Sequence, residues 1–193
     1  MLPRVYLARH GETAWTLSGQ HTGRTDIPLT PRGEADARHL GERLKGHSFA
    51  VVLTSPLQRA KRTCELAGFG DRCQVDAGLR EWDYGEFEGL KTAEIRQRRP
   101  DWDLFRDGCP GGEDAAAVGA RADRVLARVR AAAGDVLLFA HGHILRVITA
   151  RWLGQPPAAG RLYLCDPTSL GTLGYEHDHA DEPVLRLWNE APG

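Results

Sequence analysis

Apolar residues along this chain gather in short unbroken blocks separated by longer amphipathic stretches. Residues 4–8 (RVYLA), 50–54 (AVVLT) and 135–140 (DVLLFA) carry no polar alternation and are partly β-branched. Blocks of that kind predict strands covered on both faces, as in a parallel sheet. The stretches between them read as helices. Thr30-Pro31 is a hydroxyl cap followed by proline at the first helical position, and the segment runs through Leu40 and Leu44 to a stop at Gly46. Ser55-Pro56 repeats the start signal and predicts a helix through Leu57, Ala60 and Leu66 to Gly68. From Glu113-Asp114, the positions Val118, Val125, Leu126 and Val129 keep a 3.6 period to Gly134, and residues 144–153 supply a further helix. Late blocks at 161–164, 173–175 and 184–188 predict edge strands or a terminal hairpin.

Strands alternating with helices imply an α/β fold of three layers, a mostly parallel central sheet with helices on both faces. Residues 83–112, rich in glycine, charge and aromatics, read as a loop-rich insertion. A length of 193 residues suits one core, so residues 1–193 are expected to form one domain. The 25 Lys and Arg against 26 Asp and Glu leave a net charge of −1. Such balance argues against nucleic acid and against an anionic membrane surface as partners, since both require a basic face. A small molecule is the expected partner. Apolar stretches such as 136–140 fall far below the roughly 18 residues of a membrane span, and the first residues lack the apolar block of a signal peptide. A cytoplasmic location is therefore expected. Cys64, Cys73, Cys109 and Cys165 form no C-x-x-C pair and read as free, mostly buried thiols.

Ligands of parallel α/β sheets bind beyond the carboxyl ends of the strands, and here each clear strand ends in groups suited to phosphate. The first runs into Arg9-His10-Gly11, the second passes through Thr54-Ser55 into a helix whose first turn holds Arg59, and the later one ends in His141-Gly142-His143. An arginine in a first helical turn opposes the helix dipole unless an anion shares the site. Gly11 and Gly142 let the backbone approach a ligand closely. One histidine at a strand end is usually structural; several converging elements of one chemical type point to a site.

The run LARHGET at 7–13 resembles the R-H-G-E-T signature of the histidine phosphatases, the phosphoglycerate-mutase-like superfamily. GRTDIPLTPRGEADA at 23–37, SPLQRAKRT at 55–63, LREWDYGEFEGL at 79–90 and AHGHILR at 140–146 follow in that family's order. The resemblance implies a phosphoglycerate mutase-like sheet and a cap formed by residues 83–112. It implies His10 as nucleophile, Glu81 as general acid and base, and Arg9, Arg59 and His141, with Gly142, as the phosphate clamp. No metal or other cofactor is implied. The wording of 79–90, FRDGCPGGE at 105–113 and TSLGTLGYEH at 168–177 is similar to sedoheptulose-bisphosphatase-like proteins and broad-specificity acid phosphatases.

These residues predict a phosphomonoesterase working through a phosphohistidine on His10, flanked by a protonated His141 and served by a Glu81 held as the neutral acid. Candidates for contact with the rest of the substrate are Thr16, Thr22, Gly23, Tyr84, Arg106 and Arg146, with Arg24 and Arg80 as further cations. Glu86 and Glu88 read as solvated loop charges. Thr16 stands where many family members carry Asn, and Thr22 where Gln is common. His143 replaces the Asn typical of mutases, and the cap is short for one; both favour a phosphatase over the alternative, a cofactor-dependent phosphoglycerate mutase. A metal hydrolase on His10, His141 and His143, and a silent scaffold, are the readings of other classes. His177-Asp178-His179 has the spacing of a metal clip, but a lone H-x-H in a polar turn usually binds nothing.

Overall fold

The computed structural model describes residues 2–191. The chain runs β1 (Val5–Arg9), α1 (Ala14–Ser18), α2 (Pro31–Arg43), β2 (Val51–Thr54), α3 (Gln58–Leu66), β3 (Cys73–Val75), α4 (Thr92–Arg98), α5 (Leu104–Asp107), α6 (Ala115–Arg130), β4 (Val136–Ala140), α7 (Gly142–Trp152), β5 (Leu170–Tyr175) and β6 (Pro183–Glu190). Short 3₁₀ turns lie at Gly70–Arg72, Ala77–Leu79, Gly85–Phe87 and Pro157–Leu162. Six strands form one sheet in the order β3-β2-β4-β1-β5-β6. β3, β2, β4 and β1 are parallel to their neighbours, while β5 and β6 add an antiparallel hairpin beside β1.

The continuous apolar blocks are explained by burial on both faces. Val5 and Leu7 of β1, with Leu53, Val136 and Leu138, face a cluster built with Val118, Val125 and Leu126 of α6 and Ile144, Leu145 and Ile148 of α7. Tyr6, Ala8, Val52, Leu137 and Phe139 point the other way, onto Leu40 of α2, Leu44 just beyond it and Cys64 of α3. A period of two puts neighbouring residues of a strand into opposite cores. This is the three-layer α/β sandwich that the alternation of strands and helices implies.

Thr30 caps α2 as expected, its Oγ1 accepting from Gly33 N–H at 3.0 Å. Two other boundaries move. α3 opens only at Gln58, with Leu57 as an N-cap lacking a side-chain bond; the hydroxyl of Ser55 turns instead toward an imidazole, described below. α7 begins two residues earlier than its apolar period suggests, with His141 as N-cap. Residues 161–164 are no strand, because Pro156-Pro157 sets up a 3₁₀ turn whose Gly160 packs on α7, where an added Cβ would lie 3.2 Å from Arg146 C and Val147 N. The insertion at 83–112 holds α4 and α5, and it buries Tyr84, Phe87, Ile95, Trp102, Leu104 and Phe105 into the same core as α6 and α7. Among the described residues, no helix is long and apolar enough to cross a membrane.

Candidate active site

β1 and β4 are parallel neighbours in register, with Arg9 opposite Ala140. The next residue of each strand is a histidine, so His10 and His141 emerge side by side at the carboxyl edge, ring centroids 5.0 Å apart. His10 is pinned by its backbone: its N–H donates to Ala140 O at 3.0 Å and its carbonyl accepts from Thr168 N–H at 3.1 Å. Its Nδ1–H donates to the Gly11 carbonyl at 2.7 Å. That bond fixes the tautomer and leaves Nε2 as the nitrogen with a free lone pair. Gly11 is required there, since a Cβ would meet Gly33 O at 2.5 Å. Burial, then the charges of Arg59 and Arg9, hold the His10 pKa well below that of a free imidazole, partly opposed by the Gly11 bond.

Arg9 lies beside the nucleophile candidate and anchors to the Cys165 carbonyl through Nη1. Its buried Nε–H has no acceptor among the described residues. Arg59 is fully buried and is spent otherwise than the sequence suggests. Nε donates to His141 Nδ1 at 3.1 Å, Nη1 to Thr25 O at 2.9 Å, and Nη2 to the carbonyls of Thr22 and Gly23, both at 3.0 Å. Carbonyl oxygens thus take up the charge that the helix start disfavours, and the guanidinium ties the loop at 22–25 to α3.

The expectation of a protonated His141 is corrected by the same contacts. Nδ1 accepts from Arg59, so the ring proton sits on Nε2 and donates to Ser55 Oγ at 2.7 Å. Burial first, then Arg59, His10 and Arg9, depress its pKa far below the ordinary value. His141 is a neutral strut between Arg59 and Ser55.

Glu81 is buried beside the start of α7. Oε1 accepts from Trp82 N–H at 2.8 Å and Ile144 N–H at 3.0 Å, and Oε2 from His143 N–H at 3.0 Å. A carboxyl group is favoured at a helix N-terminus, where amide donors lack partners. Oε2 keeps the less committed oxygen. Behind it stands a brace that the sequence reading missed. Arg121 of α6 donates to the carbonyls of Gly78, Arg80 and Glu81 and pairs with Glu113 at 2.8 Å. The signal was present, because Arg121 interrupts the apolar stripe of Val118, Ala122, Val125 and Val129 and a charge there needs partners.

A cavity of about 220 Å³ is lined by Arg9, His10, Thr16, Thr22, Glu81, Tyr84, Gly142 and Arg146, together with Trp15, Gly19, Gln20, His21, His143 and Cys165. Of the last six, His143 is singled out by the sequence as a strand-end histidine, and the other five were not expected from sequence. Thr16 uses its hydroxyl to cap α1, donating to Thr13 O at 2.8 Å. Arg146 is held by the carbonyls of Gly160 and Arg161 and lies over the Phe105 ring. Arg59 and His141 stand behind this wall. Gly23 lines a neighbouring hollow of about 560 Å³ with Arg24 and Arg80, which shares Glu81 with the site. Arg106 is not brought to the cavity; it sits at the surface, paired with Asp107 at 2.8 Å. Glu88 is not a solvated charge, since its carboxylate accepts from the N–H groups of Gly23 and Thr25. His177 of the H-x-H turn bonds Glu182, and no cluster of three or more metal-binding side chains occurs among the described residues.

The family model of the histidine phosphatase superfamily (branch 1) matches residues 5–191. An acid phosphatase of Mycobacterium tuberculosis (strain ATCC 25618 / H37Rv) is 40% identical over 188 residues, 95% of this chain and 92% of that protein. Sedoheptulose 1,7-bisphosphatase of Saccharomyces cerevisiae (strain ATCC 204508 / S288c) is 32% identical over 251 residues, 97% of this chain and 93% of that one. A solved structure of a Mycobacterium tuberculosis open reading frame superposes with a TM-score of 0.92 at 37% identity, covering 99% of each chain.

Proposed function

The chain belongs to the histidine phosphatase superfamily, and from that premise we propose that it hydrolyses monoesters of small sugar phosphates through a phosphoryl group carried on His10. One observation carries the reading. His10 presents a neutral imidazole with Nδ1–H tied to Gly11 O, next to Arg9 and Glu81 on one cavity wall.

Uncatalysed phosphomonoester hydrolysis is so slow that the site must lower the barrier by roughly 20 kcal/mol or more, which no single group supplies. Two in-line transfers divide the task. In the first, His10 Nε2 bonds to phosphorus while the bond to the ester oxygen breaks, and Glu81 gives its proton to that leaving oxygen. In the second, water attacks phosphorus, its proton passes to Glu81, and the N–P bond breaks to release phosphate. Arg9, lining the same cavity, turns its guanidinium to the equatorial oxygens. Arg59 adds positive potential from behind, and Gly142, at the first position of α7, brings its amide to the site, the next two N–H groups being taken by Glu81. His141 serves by fixing Arg59 rather than by charge.

The same reading takes the whole chain as one catalytic domain with residues 83–112 as its cap, acting in the cytoplasm without a metal ion. The near-neutral charge supports a small metabolite, not a polyanion, as partner. Arg146, on the outer cavity wall, is the cation placed for a second acidic group of a bisphosphate.

A phosphate-release panel over sedoheptulose 1,7-bisphosphate, fructose bisphosphates, pentose phosphates and 3-phosphoglycerate tests the proposal. Release of inorganic phosphate from a sugar phosphate, persisting after exhaustive chelation, is expected. Conversion of 3-phosphoglycerate to 2-phosphoglycerate ahead of any free phosphate would favour the mutase instead.

A further inference from the structure

His143 is not used by the chemistry above, yet it is the most elaborately held side chain on the cavity wall. Its ring lies against Trp82, Tyr84, Phe105 and His21, with centroid distances of 6.4, 5.9, 5.5 and 6.2 Å. The Tyr84 hydroxyl sits 2.6 Å from Nδ1. Tyr84 is itself buried, and its hydroxyl has no other hydrogen-bond partner among the described residues, so its hydrogen is donated to Nδ1. Burial and the nearby Arg146, His21 and Arg9 lower the pKa of His143. A neutral imidazole that accepts at Nδ1 must carry its hydrogen on Nε2. Nothing among the described residues bonds to Nε2, and the 22% of the side chain that is exposed belongs to a residue lining the cavity.

We propose that His143, oriented by Tyr84, is a specificity-determining residue that donates a hydrogen bond from Nε2 to a hydroxyl group on the substrate's leaving group. The assignment rests on the phosphomonoesterase reading of the site and adds to it the class of substrate preferred, a phosphate ester flanked by hydroxyls. Three features favour a hydroxyl over a carboxylate or a second phosphate as the acceptor. The donor is uncharged, its surroundings are aromatic, and its own Nδ1 already accepts from Tyr84, so gaining a proton there would force the Tyr84 hydroxyl to turn from donor to acceptor. A fixed donor in a half-dry site discriminates strongly, because an analogue lacking the acceptor leaves the N–H unpaired. Tyr84 is a positioning residue here, acting through the tautomer it imposes.

The test compares glycerol 2-phosphate with isopropyl phosphate, which differ only in the hydroxyls beside the ester, on the wild-type enzyme and three variants. In His143→Leu the ratio of kcat/KM for the two esters should fall by roughly tenfold to a hundredfold. His143→Gln, whose amide donor reaches the same point, should recover most of that ratio. Tyr84→Phe should lower it in part, because Nδ1 is then free to hold the hydrogen and Nε2 to become an acceptor. Thermal melting of each variant separates this effect from misfolding, since a fold defect lowers both rates and spares the ratio. A ratio unmoved in His143→Leu, or unmoved in Tyr84→Phe, would overturn the assignment. Failure of the wild-type enzyme to release phosphate from either ester would instead overturn the reading of the site itself, and this assignment with it.

Discussion

At the scale of single residues, the site is a set of histidines kept neutral by burial and by neighbouring guanidinium groups. For His10 this has a kinetic consequence. A nucleophile with an ordinary imidazole pKa would lose activity as the pH fell through about 6.5, whereas His10 is held well below that value. The profile of kcat/KM, which reports the free enzyme, should therefore show no fall between about pH 7 and pH 5.5. A single acid limb centred near 6.5 would show that the reactive imidazole is not buried as described. Glu81→Gln keeps the shape and some of the backbone bonds but cannot transfer a proton, and it should cost kcat roughly 10²–10⁴-fold.

At the scale of elements, α6 and α7 together hold Glu81 in place, and the proposed proton transfer depends on it. Arg121→Met removes the guanidinium that ties Gly78, Arg80 and Glu81 together and leaves the half-buried Glu113 without its cation. Breaking a largely buried pair from one side costs about 3 kcal/mol, and urea unfolding should show a loss of that size with kcat lowered as Glu81 loosens. Unchanged stability would mean that the brace is replaced by solvent. The parallel strands and the four long helices were legible from the sequence because apolar blocks and caps such as Thr30 write their signal locally. β3 was not, since Cys73–Val75 is three residues long and its middle and last residues are exposed. α4 and α5 are too short for a period to show. His10 and His141 were legible as strand ends, but their protonation was not. It depends on Arg59 reaching across from α3 to His141, a contact between residues 82 positions apart, and nothing near either residue announces it.

At the scale of the molecule, the parallel sheet gathers the ends of β1, β2 and β4 at one edge, and Tyr84 of the 83–112 segment lines the cavity there. Such a site is assembled at a cost in stability. His10, His21, His141 and His143 all have pKa values lowered by burial, that of His21 to about 4. In the unfolded chain they titrate near 6.5, so below that pH the unfolded state binds more protons and folding weakens. Between pH 7 and pH 5, His21 alone removes on the order of 2 kcal/mol. Thermal melts should show a clear drop in Tm across this window while kcat/KM holds, and a Tm that stayed level would mean that these rings protonate freely in the fold.

The claim on which all of this turns is the covalent one. Rapid mixing with a substrate carrying labelled phosphate, followed by alkaline quench and peptide mapping, would locate the group in transit. The account predicts one acid-labile phosphoryl group per active chain, on the peptide containing His10 and absent from His10→Ala. Steady turnover with no label on that peptide, or with label on another residue, would contradict it.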